Sequence, residues 1–76
     1  MITKTKHMYD SSLVKESEYD FKTNSLEITF PSALYIYHGV SVEDYTEFAG
    51  AASQGKALNS IIKPNYEFTK IETDAI

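Results

Sequence analysis

Two groups of side chains in this 76-residue sequence are suited to holding a ligand. The first is Tyr35 and Tyr37, one residue apart, which fall on the same face of an extended chain. Alternate aromatic rings on a strand can stack unpaired bases. They can equally pack across strands, covering a sheet face and turning their hydroxyls to water. The second group is Ser53, Lys56, Asn59 and Lys63. On a helix starting at Ser53, Lys56, Asn59/Ser60 and Lys63 recur every three or four residues and share a face. Backbone N–H groups at such a helix start, together with two lysines, suit a phosphate or carboxylate. The same residues also make sense as a helix cap, a loop anchor and a solubilising stripe. Tyr66 completes the set of candidate binding residues.

Catalytic chemistry finds less support. His7 and His38 are the only histidines, with no His-x-x-x-His spacing and no carboxylate cluster around them. His38, beside Gly39, reads as a strand-end residue. Gly55-Lys56 lacks the preceding glycine and following Ser/Thr of a phosphate-binding loop. Glu43, Asp44 and Glu47 read as a solvated helix face, with nothing to bury them and shift their pKa values. Without cysteine there is no disulfide and no thiolate zinc site. The residues point to a non-enzyme with no metal and no cofactor.

Three strands and two helices are needed to position these groups. From Ser12 the chain turns strand-like, with Leu13, Lys15, Ser17, Tyr19 and Phe21 on one side and Val14, Glu16, Glu18 and Asp20 on the other, an imperfect alternation. A polar turn over Asp20 to Ser25 follows, Asp and Asn being able to bond their own backbone. Leu26, Ile28 and Phe30 then alternate with Glu27 and Thr29, the clearest strand pattern in the chain. Pro31 ends it, and Leu34–His38 forms the next strand, bulky on both faces and therefore central or bearing an exposed aromatic pair. Short connections make these three strands an antiparallel meander. After Gly39 the period lengthens. Ser41 caps a helix with Val42, Tyr45, Phe48/Ala49 and Ala52 on its apolar side and Glu43 and Asp44 in its first turn. Ser53 caps a second helix with Leu58, Ile61 and Ile62 inward, ended by Pro64. Residues 65–68 are short, aromatic and suited to a fourth strand.

The expected architecture is α+β: a three-stranded antiparallel meander, four-stranded if 65–68 joins, followed by two short helices on one sheet face. Leu26, Ile28, Phe30, Val42, Tyr45, Phe48, Leu58, Ile61 and Ile62 are the expected core. Residues 1–10 read as a flexible arm, 11–68 as the domain and 69–76 as a flexible tail.

In order and spacing, several of these residues resemble the KTSC domain family. They are Tyr19-Asp20, Leu26-x-Ile28-x-Phe30, Tyr35-x-Tyr37, Val40, Tyr45, Phe48, Ala51-x-Ser53-x-Gly55-Lys56, Asn59, Ile62-Lys63 and Tyr66. The resemblance runs from about Ser11 to Phe68. The chain departs from the family at Ala33, usually glycine, at Ser41, commonly proline, at Ala57-Leu58, usually an aromatic pair, and at Lys63, commonly arginine. The resemblance implies a fold and a set of surface residues, and no reaction. Occurrence of the domain at the C-terminus of some lysyl-tRNA synthetases adds the suggestion of RNA.

Charge separates the possible partners. The formal charge is -4, every basic residue is lysine, and arginine is absent. Nonspecific nucleic-acid affinity rises with phosphate neutralisation, and arginine is the preferred residue for guanine edges and bidentate phosphate contacts. The expectation is therefore a small accessory, adaptor or phage-type inhibitor protein that binds another protein through Tyr35, Tyr37, Ser53, Lys56, Asn59, Lys63 and Tyr66. RNA or other single-stranded nucleic acid on the same surface is the alternative. No apolar run is long enough to span a membrane, and the lack of cysteine fits a cytoplasmic setting.

Overall fold

The computed structural model describes residues 3–72. Its elements are β1 (Lys4–Met8), β2 (Glu16–Asp20), β3 (Ser25–Thr29), β4 (Ala33–Tyr37), α1 (Val42–Ala49), α2 (Gln54–Ala57) and β5 (Phe68–Glu72). Helix α2 continues without a break into a π-helical turn, Leu58–Ile62. The strands form one antiparallel sheet in the order β1-β2-β3-β4-β5. The α+β class and the meander agree with the alternation in the sequence.

The strand count is a correction, from three or four to five. Residues 4–8, read as an arm, form β1. The anticipated extended stretch at 65–68 is a turn up to Asn65, and the fifth strand begins only at Phe68 and takes in residues read as tail. Residues 73–76 lie outside the described part. Both additions are edge strands, so they lack the half-buried alternation that marks an internal strand. Of the β1 side chains, only that of Thr5 is even partly buried.

Sheet register explains why one face is apolar. One cross-strand row runs Tyr19, Leu26, Tyr37, Phe68, and the next runs Ser17, Ile28, Tyr35, Lys70. These rows share the face covered by the helices. The opposite face of β2 and β3 carries Glu16, Glu18, Glu27 and Thr29, with Lys6 Nζ 3.7 Å from Glu16. The β2–β3 turn is built as an Asx turn: Asp20 Oδ1 accepts from the backbone N–H of Lys22 at 2.8 Å and of Thr23 at 3.3 Å. These backbone bonds hold the Asp20 carboxyl below its ordinary pKa. Asn24 closes the turn in the left-handed region at φ 58°, which Asn tolerates better than most residues.

Helix α1 starts where its cap predicts, with Ser41 Oγ accepting from Asp44 N at 3.1 Å. Its buried residues are Tyr45 and Phe48. Tyr45 stacks on Tyr19, ring centroids 4.4 Å apart and planes 8° from parallel. Val42, expected in the core, is exposed. The apolar residue before the cap, Val40, is buried in its place and sits five positions before buried Tyr45, the N′/N4 spacing of a hydrophobic staple. The core consists of Val14, Tyr19, Leu26, Ile28, Tyr37, Val40, Tyr45, Phe48, Ala57, Leu58 and Ile62, with Phe30 and Ile61 packed at its margin. Tyr9 also belongs to that margin. Its hydroxyl is 2.8 Å from buried Ser17 Oγ, and its ring meets Phe48 edge-on.

One hydrogen-bonded centre joins three segments. Tyr19 Oη donates to the Val40 carbonyl at 2.5 Å and accepts from Asn24 Nδ2 at 2.9 Å, while Val40 N donates to the Asn24 carbonyl. It fixes the β2–β3 turn against the chain that enters α1. No described helix is long and apolar enough to cross a membrane.

Candidate functional site

Strand β4 lies between β3 and β5, so Tyr35 and Tyr37 have neighbours on both sides. Tyr37 is fully buried and Tyr35 half-buried. The Tyr35 ring stacks on Phe68 at 4.9 Å, meets Phe30 edge-on at 4.9 Å, and has Lys70 Nζ 5.8 Å from its centroid. These contacts already engage its π-surface. The cross-strand packing weighed from the sequence therefore describes the rings better than an open stacking platform does. The expectation that the hydroxyls reach water fails at Tyr37, whose Oη is buried with no hydrogen-bond partner among the described residues. Burial, reinforced by the neighbouring Tyr35 phenol, pushes the Tyr37 pKa above its ordinary 10.0.

The two tyrosines form part of a groove of about 370 Å³ between the β4–β5 end of the sheet and the π-helical turn. Phe30, Pro31, Ala33, Leu13 and Leu58 supply the rest of its apolar wall, while Ser32, Asn59, Lys63 and Lys70 supply polar groups. A volume in this range suits a small molecule or one or two side chains of a larger partner. Apolar walls with a few convergent polar groups give such a site both affinity and orientation.

The groove brings together Tyr35, Tyr37, Asn59 and Lys63 from the sequence-derived set, and leaves Ser53, Lys56 and Tyr66 elsewhere. Ser53 and Lys56 border a second, shallower depression, with Glu47, Ser60 and Ile61. Ser53 Oγ is engaged as a cap, accepting from Lys56 N at 3.3 Å. Glu47 beside Lys56 gives that depression mixed charge, a poor cradle for phosphate. The single lysine-bearing face expected from α-helical spacing is split because the backbone widens at Leu58. Lys63 N bonds the Leu58 carbonyl five residues back, and the wider turn rotates Lys63 away from the line of Lys56.

Tyr66 has a different task. Its hydroxyl donates to Asp44 Oδ2 at 2.5 Å and lies 3.4 Å from Ser41 Oγ, tying the chain after the π-helical turn to the start of α1. His38, outside the groove, places Nε2 2.9 Å from Thr69 Oγ1 and so links β4 to β5. No group of three or more metal-ligating side chains occurs among the described residues.

Sequence reasoning missed Phe30, assigned wholly to the core, and the groove-lining pair Leu13 and Lys70. The period-2 pattern of Leu26, Ile28 and Phe30 was a usable signal for the first, since it puts Phe30 on the tyrosine side. No local signal marks Lys70, because only the β4–β5 pairing puts it opposite Tyr35.

Comparison with known proteins places this arrangement among its relatives. The family model described as KTSC domain matches residues 10–66. The crystal structure of a KTSC domain protein from Yersinia pestis is similar at a TM-score of 0.82 and 29% identity, over 90% of this chain and 97% of that one. No curated protein sequence matches the chain.

Proposed function

Starting from a chain that belongs to the KTSC domain family, we propose that it is a non-catalytic binding module whose groove engages another protein. The observation that carries this reading is the convergence, in one apolar groove, of Tyr35, Tyr37, Asn59 and Lys63 from β4 and the π-helical turn. Buried aromatic residues ringed by polar groups are the usual anchors of protein interfaces. The formal charge of -4 and the absence of arginine favour a protein over a polyanion. Engagement of the Tyr35 ring by Phe68 and Lys70 favours it further, because base stacking needs a free aromatic face. An accessory, adaptor or inhibitor role in the cytoplasm fits a domain of this size, which acts by occupying a surface of something larger.

Single-stranded RNA is the reading to test against it. Fluorescence titration of a labelled mixed-sequence oligoribonucleotide at two salt concentrations discriminates the two. The protein reading expects weak binding at low salt that Lys63→Glu barely changes. Tight binding that falls steeply with salt and is lost in Lys63→Glu contradicts it and supports RNA.

A further inference from the structure

The groove uses one face of the sheet, and the other face carries side chains of its own. There the register places Glu18, Glu27 and Ile36 in one cross-strand row. The next row holds Glu16, Thr29, Leu34 and Ile71. No described helix covers these rows, since the buried strand residues Tyr19, Leu26, Ile28 and Tyr37 belong to the opposite face. Two strips result, carboxylates on β2 and β3 and large aliphatic side chains on β4 and β5. An antiparallel sheet with one free face ordinarily turns apolar side chains inward and polar ones outward. Strand β4 breaks that rule: Leu34 and Ile36 stand on the free face and are only half-buried, and Ile71 beside Leu34 is 43% exposed.

The charges on this face are also unfavourable to the free domain. Glu18 and Glu27 lie directly opposite each other on neighbouring strands, an arrangement that destabilises a sheet. Lys6 is opposite Glu18 in register, but its Nζ lies 3.7 Å from Glu16. No described lysine forms an ion pair with Glu18 or Glu27. Dimensions narrow the class of occupant. Strands β2–β5 span about 15 Å across and five residues, or about 17 Å, along. Three turns of α-helix, about 16 Å long and 10–12 Å wide, match that area.

We propose that this helix-free face docks a basic amphipathic helix of a partner protein. Its large apolar side chains pack on Leu34, Ile36 and Ile71, and its lysines or arginines lie over Glu18 and Glu27. The cations relieve a repulsion that the free domain carries, and the apolar side chains cover a strip that the free domain leaves wet. A second copy of this chain does not supply such a helix, because α1 presents Glu43 and Glu47 outward. The surface lies across the sheet from the groove, and the inference does not rest on the reading given for the groove.

The probes are capped peptides of about 14 residues with helical period, one of leucine and lysine, one of leucine and glutamate, and one of serine and lysine. NMR shifts of side-chain methyls locate the binding: Leu34, Ile36 and Ile71 report this face, while Leu13 and Leu58 report the groove. The leucine–lysine peptide is expected to move the first set and to bind roughly tenfold or more tightly than the serine–lysine peptide. Glu18→Gln/Glu27→Gln should weaken it by roughly three- to tenfold, the size of two partly exposed charge pairs. The same variant should melt higher than the parent, because the opposed charges are gone. Ile36→Ser should weaken binding with the circular dichroism spectrum unchanged, since Ile36 is outside the core. Equal binding of the leucine–glutamate or the serine–lysine peptide overturns the proposal, as does binding unchanged in Glu18→Gln/Glu27→Gln. So does a leucine–lysine peptide that leaves the Leu34, Ile36 and Ile71 methyls unmoved. If that peptide moves only Leu13 and Leu58, this inference fails while the groove reading stands. Self-association of the free protein that Ile36→Ser abolishes gives the face to a second copy, and that too overturns the proposal.

Discussion

Removing one oxygen from Tyr19 should cost this domain a large part of its stability. Tyr19 is fully buried, so Tyr19→Phe leaves the ring, its stack on Tyr45 and the packing volume unchanged. What it deletes is the donor to the Val40 carbonyl at 2.5 Å and the acceptor for Asn24 Nδ2 at 2.9 Å. Val40 is itself fully buried, and leaving a buried acceptor unsatisfied costs about 1–3 kcal/mol. Asn24 is only half-buried and can turn its amide to water, so it adds little. A central value near 2 kcal/mol corresponds to a fall of roughly 8–16 °C in Tm for a domain of this length. For a chain this short that is a substantial share of its net stability. Thermal and urea unfolding followed by circular dichroism measure it, with an unchanged denaturant slope showing that the unfolded state is the same. A loss below about 0.5 kcal/mol, no more than an ordinary surface substitution, refutes the claim that this centre ties the β2–β3 turn to the entry of α1. Tyr37→Phe serves as the internal control, deleting the same atom where no partner exists and expected to change stability with the opposite sign.

Other consequences follow from the same contacts. Ser41→Ala removes the N-cap of α1 and a neighbour of the Tyr66 hydroxyl, and should cost about 1 kcal/mol in urea unfolding. Tyr66→Phe should destabilise by a similar amount, through loss of the bond to Asp44, and leave the affinity of a groove-bound peptide unchanged; weakened affinity would return Tyr66 to the binding surface. Lys63→Glu should change the affinity of a groove-bound peptide by fluorescence anisotropy and Lys56→Glu should not, because the π-helical turn puts them at different depressions. Burial raises the Tyr9, Tyr37 and Tyr45 phenols above their ordinary 10.0. Their raised values mean the unfolded chain releases these protons first. The stability held in the neutral phenols is therefore complete below pH about 10 and is lost as the pH climbs from there through the folded-state values. Urea midpoints across that range should fall with rising pH, and a flat profile would contradict the burial assigned to them.

The parts of this fold legible in the sequence are those where one face is buried and the other wet. Leu26 and Ile28 against Glu27 and Thr29 give β3 directly, Ser41 and Ser53 mark both helix starts, and Asp20 and Asn24 mark the turn between β2 and β3. Strands β1 and β5 escaped because an edge strand is half in solvent on both faces, so Lys4–Met8 and Phe68–Glu72 show no period-2 contrast. Val42 was misplaced because α-helical spacing gives a face without its centre, which Val40 and Tyr45 set from either side of the cap. The tyrosine pair was readable as one face but not in depth: only pairing on both sides of β4 makes Tyr37 wholly buried. The π-helical turn has no signature in Leu58–Ile62, and with it went the difference between the Lys56 and Lys63 surroundings. Of the candidate binding residues, then, spacing assembled a set that the backbone divides in three, with Tyr66 apart at the start of α1.

The central proposal is that the groove of this KTSC domain engages another protein. Selection of a random displayed peptide library on the immobilised protein, sequenced in parallel on the Tyr35→Ala/Lys63→Glu variant, tests it most directly. The account predicts enriched peptides carrying an aromatic or large aliphatic side chain to fill the groove, and loss of that enrichment on the variant. No enrichment, or enrichment only of the same peptides on both proteins, would contradict it.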